Sequence, residues 1–299
     1  MSEVAKKMGV VAMIGRPNAG KSTLLNKLVG EKIAIVSDKP QTTRTRINGV
    51  LTRPQGQIVF LDTPGIHKPG YKLNRRMMTM VSDTLLSVDL ILLMIDATEP
   101  SGAGDRFVLE MLKSVPMPAF LILNKTDKLA DKTKLLPIIK RYTDEREFIE
   151  VIPLSALKGN NVTLLVEKIF EQLPDGVPMY DEDALTDQPE RVLVAELVRE
   201  KILSQTAEEL PYVTAVVTER WEDDDKKLKI YCLIYVERES HRAIIIGRGG
   251  ARLKEIGTAA RRDIEKLLGR KIFLGLHVTV REHWRDDDRT LNELGIQSG

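Results

Sequence analysis

The chain is short of the residues that staple folds together or carry them through membranes. Of its 299 residues one is cysteine, Cys232, so no disulfide framework can form and a reducing cytoplasm is the expected setting. No apolar run approaches the ~20 residues that a membrane helix needs. The opening "MSEVAKKMGVV" has no long apolar core of the signal-peptide kind. Aromatic residues make up only 5%, and His241, His277 and His283 show no metal-ligand spacing. Neither sign of charge dominates, because the formal net charge is +2. Any contact with nucleic acid must therefore come from local clustering of charge. Internal repeats and low-complexity tracts are absent. What is present is the apolar and charged balance of a soluble globular protein, long enough for two domains.

The first stretch alternates short apolar runs with helix-period segments. The runs are "VVAMI", "QIVFLD", "DLILLMID", "AFLILN" and "FIEVIPLS". Each is almost uniformly apolar, as strands covered on both faces are, and each ends where polar loop formers begin. This predicts an α/β domain over residues 1–174, a doubly wound, mostly parallel sheet with ligands at the carboxyl ends of its strands. Residues 175–189, rich in proline and acids, read as a linker. Residues 190–299 give a helix, two antiparallel strands around an acidic turn at 222–225, two helical stretches and a last strand. That order, α-β-β-α-α-β, describes a smaller α+β domain.

The first run leads into "GRPNAGKS", which fills G-x-x-x-x-G-K-[ST] with Gly15, Gly20, Lys21 and Ser22. The backbone of Gly15, Arg16, Pro17, Asn18, Ala19 and Gly20 can wrap a phosphate, with Lys21 adding charge and Ser22 a hydroxyl for Mg²⁺. The second run ends in Asp62-Thr63-Pro64-Gly65. Asp62 can hold Mg²⁺ through water, and Gly65 can offer its N–H to a γ-phosphate. A third motif, Asn124-Lys125-Thr126-Asp127, selects the base. A carboxylate at Asp127 accepts two hydrogens from guanine N1 and the 2-amino group, whereas adenine would leave the acid unpaired. The stem of Lys125 can cover the base, and Asn124 can bridge to the phosphate loop. In Ser155-Ala156-Leu157 a backbone N–H can meet guanine O6. The order and placement of these motifs specify GTP rather than ATP.

Between the first two motifs lies "SDKPQTTRTR", a loop whose threonine can complete the Mg²⁺ shell and sense the γ-phosphate. Thr42 and Thr43 both qualify, with Thr43 favoured. Ile66 stands where many GTPases place the glutamine that orients water, so intrinsic hydrolysis should be slow or helped by another group. Lys21, Thr43, Gly65 and Asn18 are the expected catalytic set. Asn18 either coordinates a monovalent cation such as K⁺ or only shapes the loop. His67 either positions water or is a plain switch-loop histidine.

In the second domain "IIIGRGGARLKEIG" holds Gly247-Arg248-Gly249-Gly250, a G-x-x-G between helical stretches. Such a turn lets a nucleic-acid backbone approach, while Ile245 and Ile246 can floor a groove for unstacked bases. Alone it could equally be a helix cap. Its setting adds weight, since residues 238–271 carry ten basic and four acidic side chains. Arg248, Arg252 and Lys254 are the expected phosphate contacts, with Arg261, Arg262, Arg270 and Lys271 in the same excess.

Together these features resemble the Era family of bacterial GTPases over essentially the whole chain. The likeness runs through GRPNAGKS, QTTR, DTPG, NKTD, SAL, ELPY, IIIGRGG and HWRDDDRTLNELG. It implies a Ras-like P-loop GTPase domain joined to a type II KH RNA-binding domain. It implies a GTP/GDP switch that binds 16S ribosomal RNA near its 3′ end and acts in 30S subunit maturation. It also implies loose peripheral association with the cytoplasmic membrane, and a monomer is expected. An isoleucine after DTPG fits the family. An RNA-modifying GTPase would need a second catalytic centre, and the C-terminal part offers no nucleophile or metal cluster. An RNA-binding module with a decayed nucleotide site would have lost Lys21, Asp62 or Asp127, and all are present.

Overall fold

Successive residues of a strand face opposite ways, and in the first half of this protein both ways lead into core. The computed structural model describes residues 6–39, 41–66, 70–206, 210–224 and 227–296. The five apolar runs form β1 (Lys7–Ile14), β3 (Gly56–Asp62), β4 (Leu90–Asp96), β5 (Ala119–Asn124) and β6 (Glu150–Pro153), all mutually parallel. A sixth strand, β2 (Ile47–Arg53), was not among the expected runs. It pairs antiparallel with β3 at the sheet edge, giving the order β2-β3-β1-β4-β5-β6.

Helices α1 (Lys21–Val29), α2 (Lys72–Leu85), α3 (Ala103–Lys113), α4 (Leu135–Thr143) and α5 (Val162–Gln172) fill the connections. Val11, Met13, Leu92 and Met94 turn to one face, against Leu24 and Leu28 of α1 and Leu165 and Ile169 of α5. Ala12, Ile14, Leu93 and Ile95 turn to the other, against Val81 of α2, Leu112 of α3 and Tyr142 of α4. Each fully buried aliphatic side chain contributes about 1.5–3 kcal/mol. The sheet is thus held rigidly from both sides, and its carboxyl-end loops start from fixed points.

The second half contains α6 (Glu190–Gln205), α7 (Leu210–Val213), β7 (Ala215–Asp224), β8 (Lys227–Val236), α8 (Glu239–Ile246), α9 (Ala251–Leu268), β9 (Ile272–Val280) and α10 (Asp288–Glu293). The sheet order is β7-β8-β9, with β8 antiparallel to β7 and parallel to β9. Ile230, Cys232, Ile234 and Val278 pack with Val194 and Val198 of α6 and Ile256, Ala260 and Ile264 of α9. Cys232 is a core residue whose thiol is pushed up to about 11 by burial. The acidic turn falls partly outside the described residues, at Asp225.

The opposite face of this small sheet is covered from elsewhere. Ala215 and Tyr235 pack against Trp284, Leu291 and Ile296 of the C-terminal segment and against Leu73 and Met77 of α2. Helix α2 therefore serves both halves. Residues 175–189 are bound down rather than looped free. The Val50 N–H donates to the Leu185 carbonyl (2.9 Å), Thr186 Oγ1 donates to the Asn48 carbonyl (2.6 Å), and the Gln57 side chain bonds the backbone at Met179 and Tyr180.

Candidate nucleotide and nucleic-acid sites

All four nucleotide motifs emerge at the carboxyl ends of parallel strands. Residues 15–22 follow β1, residues 62–66 end β3, residues 124–127 end β5, and residues 155–157 follow β6. The first of these turns is close-packed: a Cβ on Gly15 would sit 2.3 Å from the Met94 carbonyl oxygen, and φ there is +152°.

Lys21 opens α1 and is 5% exposed. Its Nζ donates to the carbonyls of Gly15 (3.2 Å) and Arg16 (3.0 Å). Burial lowers its pKa to about 8, against a smaller opposing pull from Asp62. Asp62, fully buried, is pushed up by burial, although Lys21 and the hydroxyls of Ser22 and Thr43 pull it down. Two opposite charges are thus each disfavoured by desolvation at one spot. An anion over Lys21 and a cation beside Asp62 would restore both.

The structure brings together the three oxygens expected at a metal. Ser22 Oγ donates to Asp62 Oδ2 (2.6 Å), lies 2.9 Å from Thr43 Oγ1, and Thr43 Oγ1 donates to Asp62 Oδ2 (3.3 Å). Asp62 Oδ1 is buried with no hydrogen-bond partner among the described residues. Hard oxygen donors with one orphaned carboxylate oxygen suit Mg²⁺, directly or through water. Thr42, the alternative, turns away and donates to the Lys39 carbonyl (2.6 Å).

The neighbouring positions divide by role. Gly65 lies against the phosphate loop so closely that a Cβ would fall 2.8 Å from Pro17 Cα. Ile66 is buried in the core, its N–H donating to the Gly15 carbonyl (3.2 Å), so its side chain is far from orienting water. Thr63 Oγ1 donates to the Met13 carbonyl (2.9 Å) and is structural. The Arg16 side chain turns to Asp105 (3.0 Å) and Glu99 (2.5 Å), leaving only its backbone for a phosphate. Asn18, at φ +63°, donates from Nδ2 to the Asp38 carbonyl (2.5 Å) and ties the phosphate loop to the threonine loop. His67 lies outside the described residues.

At the base end Asn124 donates from Nδ2 to the Ala19 carbonyl (2.8 Å) and accepts at Oδ1 from the Ala156 N–H (3.0 Å). It thereby locks three motifs together. Asp127 Oδ1 accepts from Ser155 Oγ (2.6 Å), which aims its carboxylate. Thr126 Oγ1 is tied to the Leu154 carbonyl (2.9 Å). Of the backbone N–H groups expected near a guanine O6, that of Ala156 is engaged by Asn124 and that of Ser155 by the Asn160 carbonyl (3.2 Å). Asp96 was not foreseen. It closes β4 and grips Lys125 Nζ at 2.5 Å. Burial raises its pKa, but the hydrogen bonds from Lys125 and Thr98 outweigh that and hold it below the usual carboxylate range. Its signal was visible as the acid ending "DLILLMID".

The G-x-x-G stands as a turn between α8 and α9, with Gly249 at φ +59° and open space around it. Arg248 and Lys254 are exposed and make no ion pair among the described residues. Arg252 is partly committed, donating to the Ile244 carbonyl (2.7 Å) at the end of α8. Arg270 pairs with Asp223 (2.6 Å) and Lys271 with Glu265 (2.8 Å), so they add less to the free positive surface. One expectation is corrected. Ile245 is 0% exposed, because its position on α8 faces the core beneath the sheet, and it cannot floor a groove. Ile246 and Leu253, on either side of the turn in sequence, are partly exposed, as are Leu274 and Leu276 on the edge strand β9.

A phosphate loop with a guanine-selecting carboxylate on one sheet, followed by a G-x-x-G turn on a three-stranded α+β unit, defines a P-loop GTPase carrying a KH domain. A family described as 50S ribosome-binding GTPase matches residues 10–125, and the KH domain family matches residues 209–285. A structure of a single-substitution variant of Aquifex aeolicus Era bound to GDP and AlF4 is 41% identical, covers 97% of this chain and 99% of its own, and superposes with a TM-score of 0.93. A structure of Era with MgGDPNP and nucleotides 1506–1542 of 16S ribosomal RNA is 42% identical, covers 98% and 99%, and has a TM-score of 0.94. The chain belongs to the Era family of GTPases.

Proposed function

We propose that this protein is a GTP-hydrolysing switch that binds the 3′ region of 16S ribosomal RNA and acts in maturation of the 30S subunit. The observation that carries it is the convergence of Lys21, Ser22, Thr43 and Asp62 at one end of a sheet whose chain continues into an exposed G-x-x-G with a positive surface. Solved relatives hold MgGDPNP with nucleotides 1506–1542 of 16S RNA, or GDP with AlF4, over nearly the same full length.

In this reading the backbone of residues 15–20 and Lys21 bind the β- and γ-phosphates, and Asp127, aimed by Ser155, selects guanine. Ser22 and Thr43 would hold Mg²⁺, with Asp62 behind it, and the ion neutralises charge on the phosphate oxygens. Gly65 brings its backbone to the γ-phosphate. Ile66 offers nothing to a water, so unaided turnover is slow. Asn18, whose Nδ2 is on the Asp38 carbonyl, offers its Oδ1 to a monovalent cation near the phosphates. In the second domain Arg248 and Lys254 contact phosphate while Ile246, Leu253 and the β9 edge receive unstacked bases. The protein works as a monomer in the cytoplasm, with peripheral contact to the membrane. Among the described residues no helix is long and apolar enough to cross one.

Footprinting the full chain on 16S RNA, loaded with a GTP analogue or with GDP, tests this. Protection confined to the 3′ end and altered by the nucleotide is expected. Protection elsewhere, or none, would overturn it.

A further inference from the structure

Among its described residues, the loop that carries Thr43 has no regular secondary structure between α1 and β2. Its first part is held by its own domain, since Asn26 Oδ1 accepts from the N–H groups of Ile33 (3.0 Å) and Ala34 (2.9 Å). Beyond it the second domain joins in at Val36 and Thr42, while Asn18 of the phosphate loop holds the Asp38 carbonyl between them (2.5 Å). Glu200 Oε1 accepts the Val36 N–H (3.0 Å), and Arg199 Nη2 donates to the Thr42 carbonyl. These two residues are consecutive on α6, and they grip the loop on either side of its tip. Just past Thr43, the Arg44 guanidinium reaches the carbonyls of Thr214 (2.7 Å) and Pro211 (2.6 Å) and lies 5.4 Å from the centre of the Trp284 ring.

Both gripping side chains are themselves fixed. Arg199 is 1% exposed, and Glu196 holds its guanidinium through Nε (2.8 Å) and Nη2 (2.5 Å). Glu200 is held by Lys32 (2.6 Å) and Lys201 (2.9 Å), and Asp263 of α9 reaches both lysines. One chain of contacts thus runs from Asp263 of α9, the helix that begins at the G-x-x-G, through Lys32 and Lys201 to Glu200 and Val36, while Arg199, one residue earlier on α6, reaches the Thr42 carbonyl. Ordering a loop costs conformational entropy, and a ligand oxygen on a pre-ordered loop binds its metal without that cost.

We propose that Arg199 and Glu200 are positioning residues for the hydrolysis site, holding the loop so that Thr43 Oγ1 stands beside Ser22 and Asp62. Metal-dependent GTP chemistry then depends on the docking of the KH domain. This rests on the reading of Ser22, Thr43 and Asp62 as the Mg²⁺ site. GDP, lacking the γ-phosphate, has no need of the Thr43 loop, so its binding is independent of the clamp.

The test is single-turnover GTP hydrolysis of the full chain titrated with Mg²⁺, with GDP affinity measured in parallel as the check of folding. Arg199→Gln should raise the half-saturating Mg²⁺ about tenfold, the effect of losing one charged hydrogen bond, and Glu200→Ala should raise it by several-fold. GDP affinity should stay within about twofold of the parent. Thr43→Ala should reproduce the Mg²⁺ shift, and adding Arg199→Gln to it should change nothing further. If Thr43→Ala shifts the Mg²⁺ dependence and neither α6 variant does, with GDP affinity intact, the positioning role is overturned. If Thr43→Ala itself leaves the Mg²⁺ dependence unchanged, the metal-site reading fails instead. Loss of GDP affinity in both α6 variants would make them global structural residues and also overturn the inference.

Discussion

The nucleotide end and the G-x-x-G end of this protein solve recognition in opposite ways. At the nucleotide end Lys21, Thr43, Asp62 and Asn124 are all buried and each already holds a hydrogen bond within the protein: Lys21 to the Gly15 and Arg16 carbonyls, Thr43 to Asp62, and Asn124 to the Ala19 carbonyl. At the G-x-x-G end Arg248, Gly249 and Lys254 are exposed; among the described residues Arg248 and Lys254 make no ion pair, while Arg270 and Lys271 pair at the surface. A buried polar set tolerates almost no substitution, because each lost partner leaves a desolvated group behind. An exposed set works by the sum of its charges and should lose affinity in steps.

The sharpest way to break this contrast is at the base. Asp127→Asn should move preference from guanosine to xanthosine nucleotides, with a swing of up to about 10⁴, the scale on which a site built to hydrogen-bond a ligand group rejects a ligand lacking it. Competition binding of GDP and XDP reads this. An unchanged preference would mean that Ser155 does not aim Asp127 at a base.

A smaller effect is expected on the exposed side. Arg248→Asp with Gly249→Asp should lower RNA affinity about tenfold to hundredfold and flatten its salt dependence by about one phosphate contact, leaving GDP affinity alone. Arg252→Ala alone should weaken binding less, because that side chain is already tied to Ile244. A salt titration of RNA binding separates the two.

The buried lysine predicts a pH effect of known sign. Burial holds Lys21 at about 8, below its ordinary 10.5. A nucleotide's phosphates favour its charged form, so binding above that pH takes up a proton. Affinity for GDP is full below about pH 8 and falls as pH rises past it, by at most about tenfold per unit. Proton uptake measured by calorimetry in two buffers checks the sign. The smallest effect concerns Asn18: hydrolysis should be a few-fold faster in K⁺ than in Na⁺, and Asn18→Ala should erase the difference. Equal rates in both salts would leave Asn18 as the tie to Asp38.

The nucleotide end was legible because its chemistry is local: each motif is a few consecutive residues at the end of an apolar run. Strand β2 escaped because Asn48, Gly49 and Thr52 interrupt its apolar residues, and its burial is supplied by α1 and by the chain at Leu185. Ile245 was misplaced because three isoleucines in a row carry no period, so only the helix axis says which one faces the core. The fastening of the two halves was illegible altogether. Thr42 and Arg199 are 157 positions apart, and Arg44 and Thr214 are 170, with no pattern in either segment naming the other.

The central claim is that the buried site and the exposed one belong to a single RNA-responsive GTPase. Single-turnover GTP hydrolysis by the full chain, with and without an RNA ending at the 3′ terminus of 16S ribosomal RNA, tests it most directly. Slow hydrolysis that this RNA accelerates, with the acceleration lost in the Arg248→Asp, Gly249→Asp variant while the basal rate persists, is the predicted result. RNA that binds tightly yet leaves the rate unchanged, or acceleration that survives in that variant, would contradict the account.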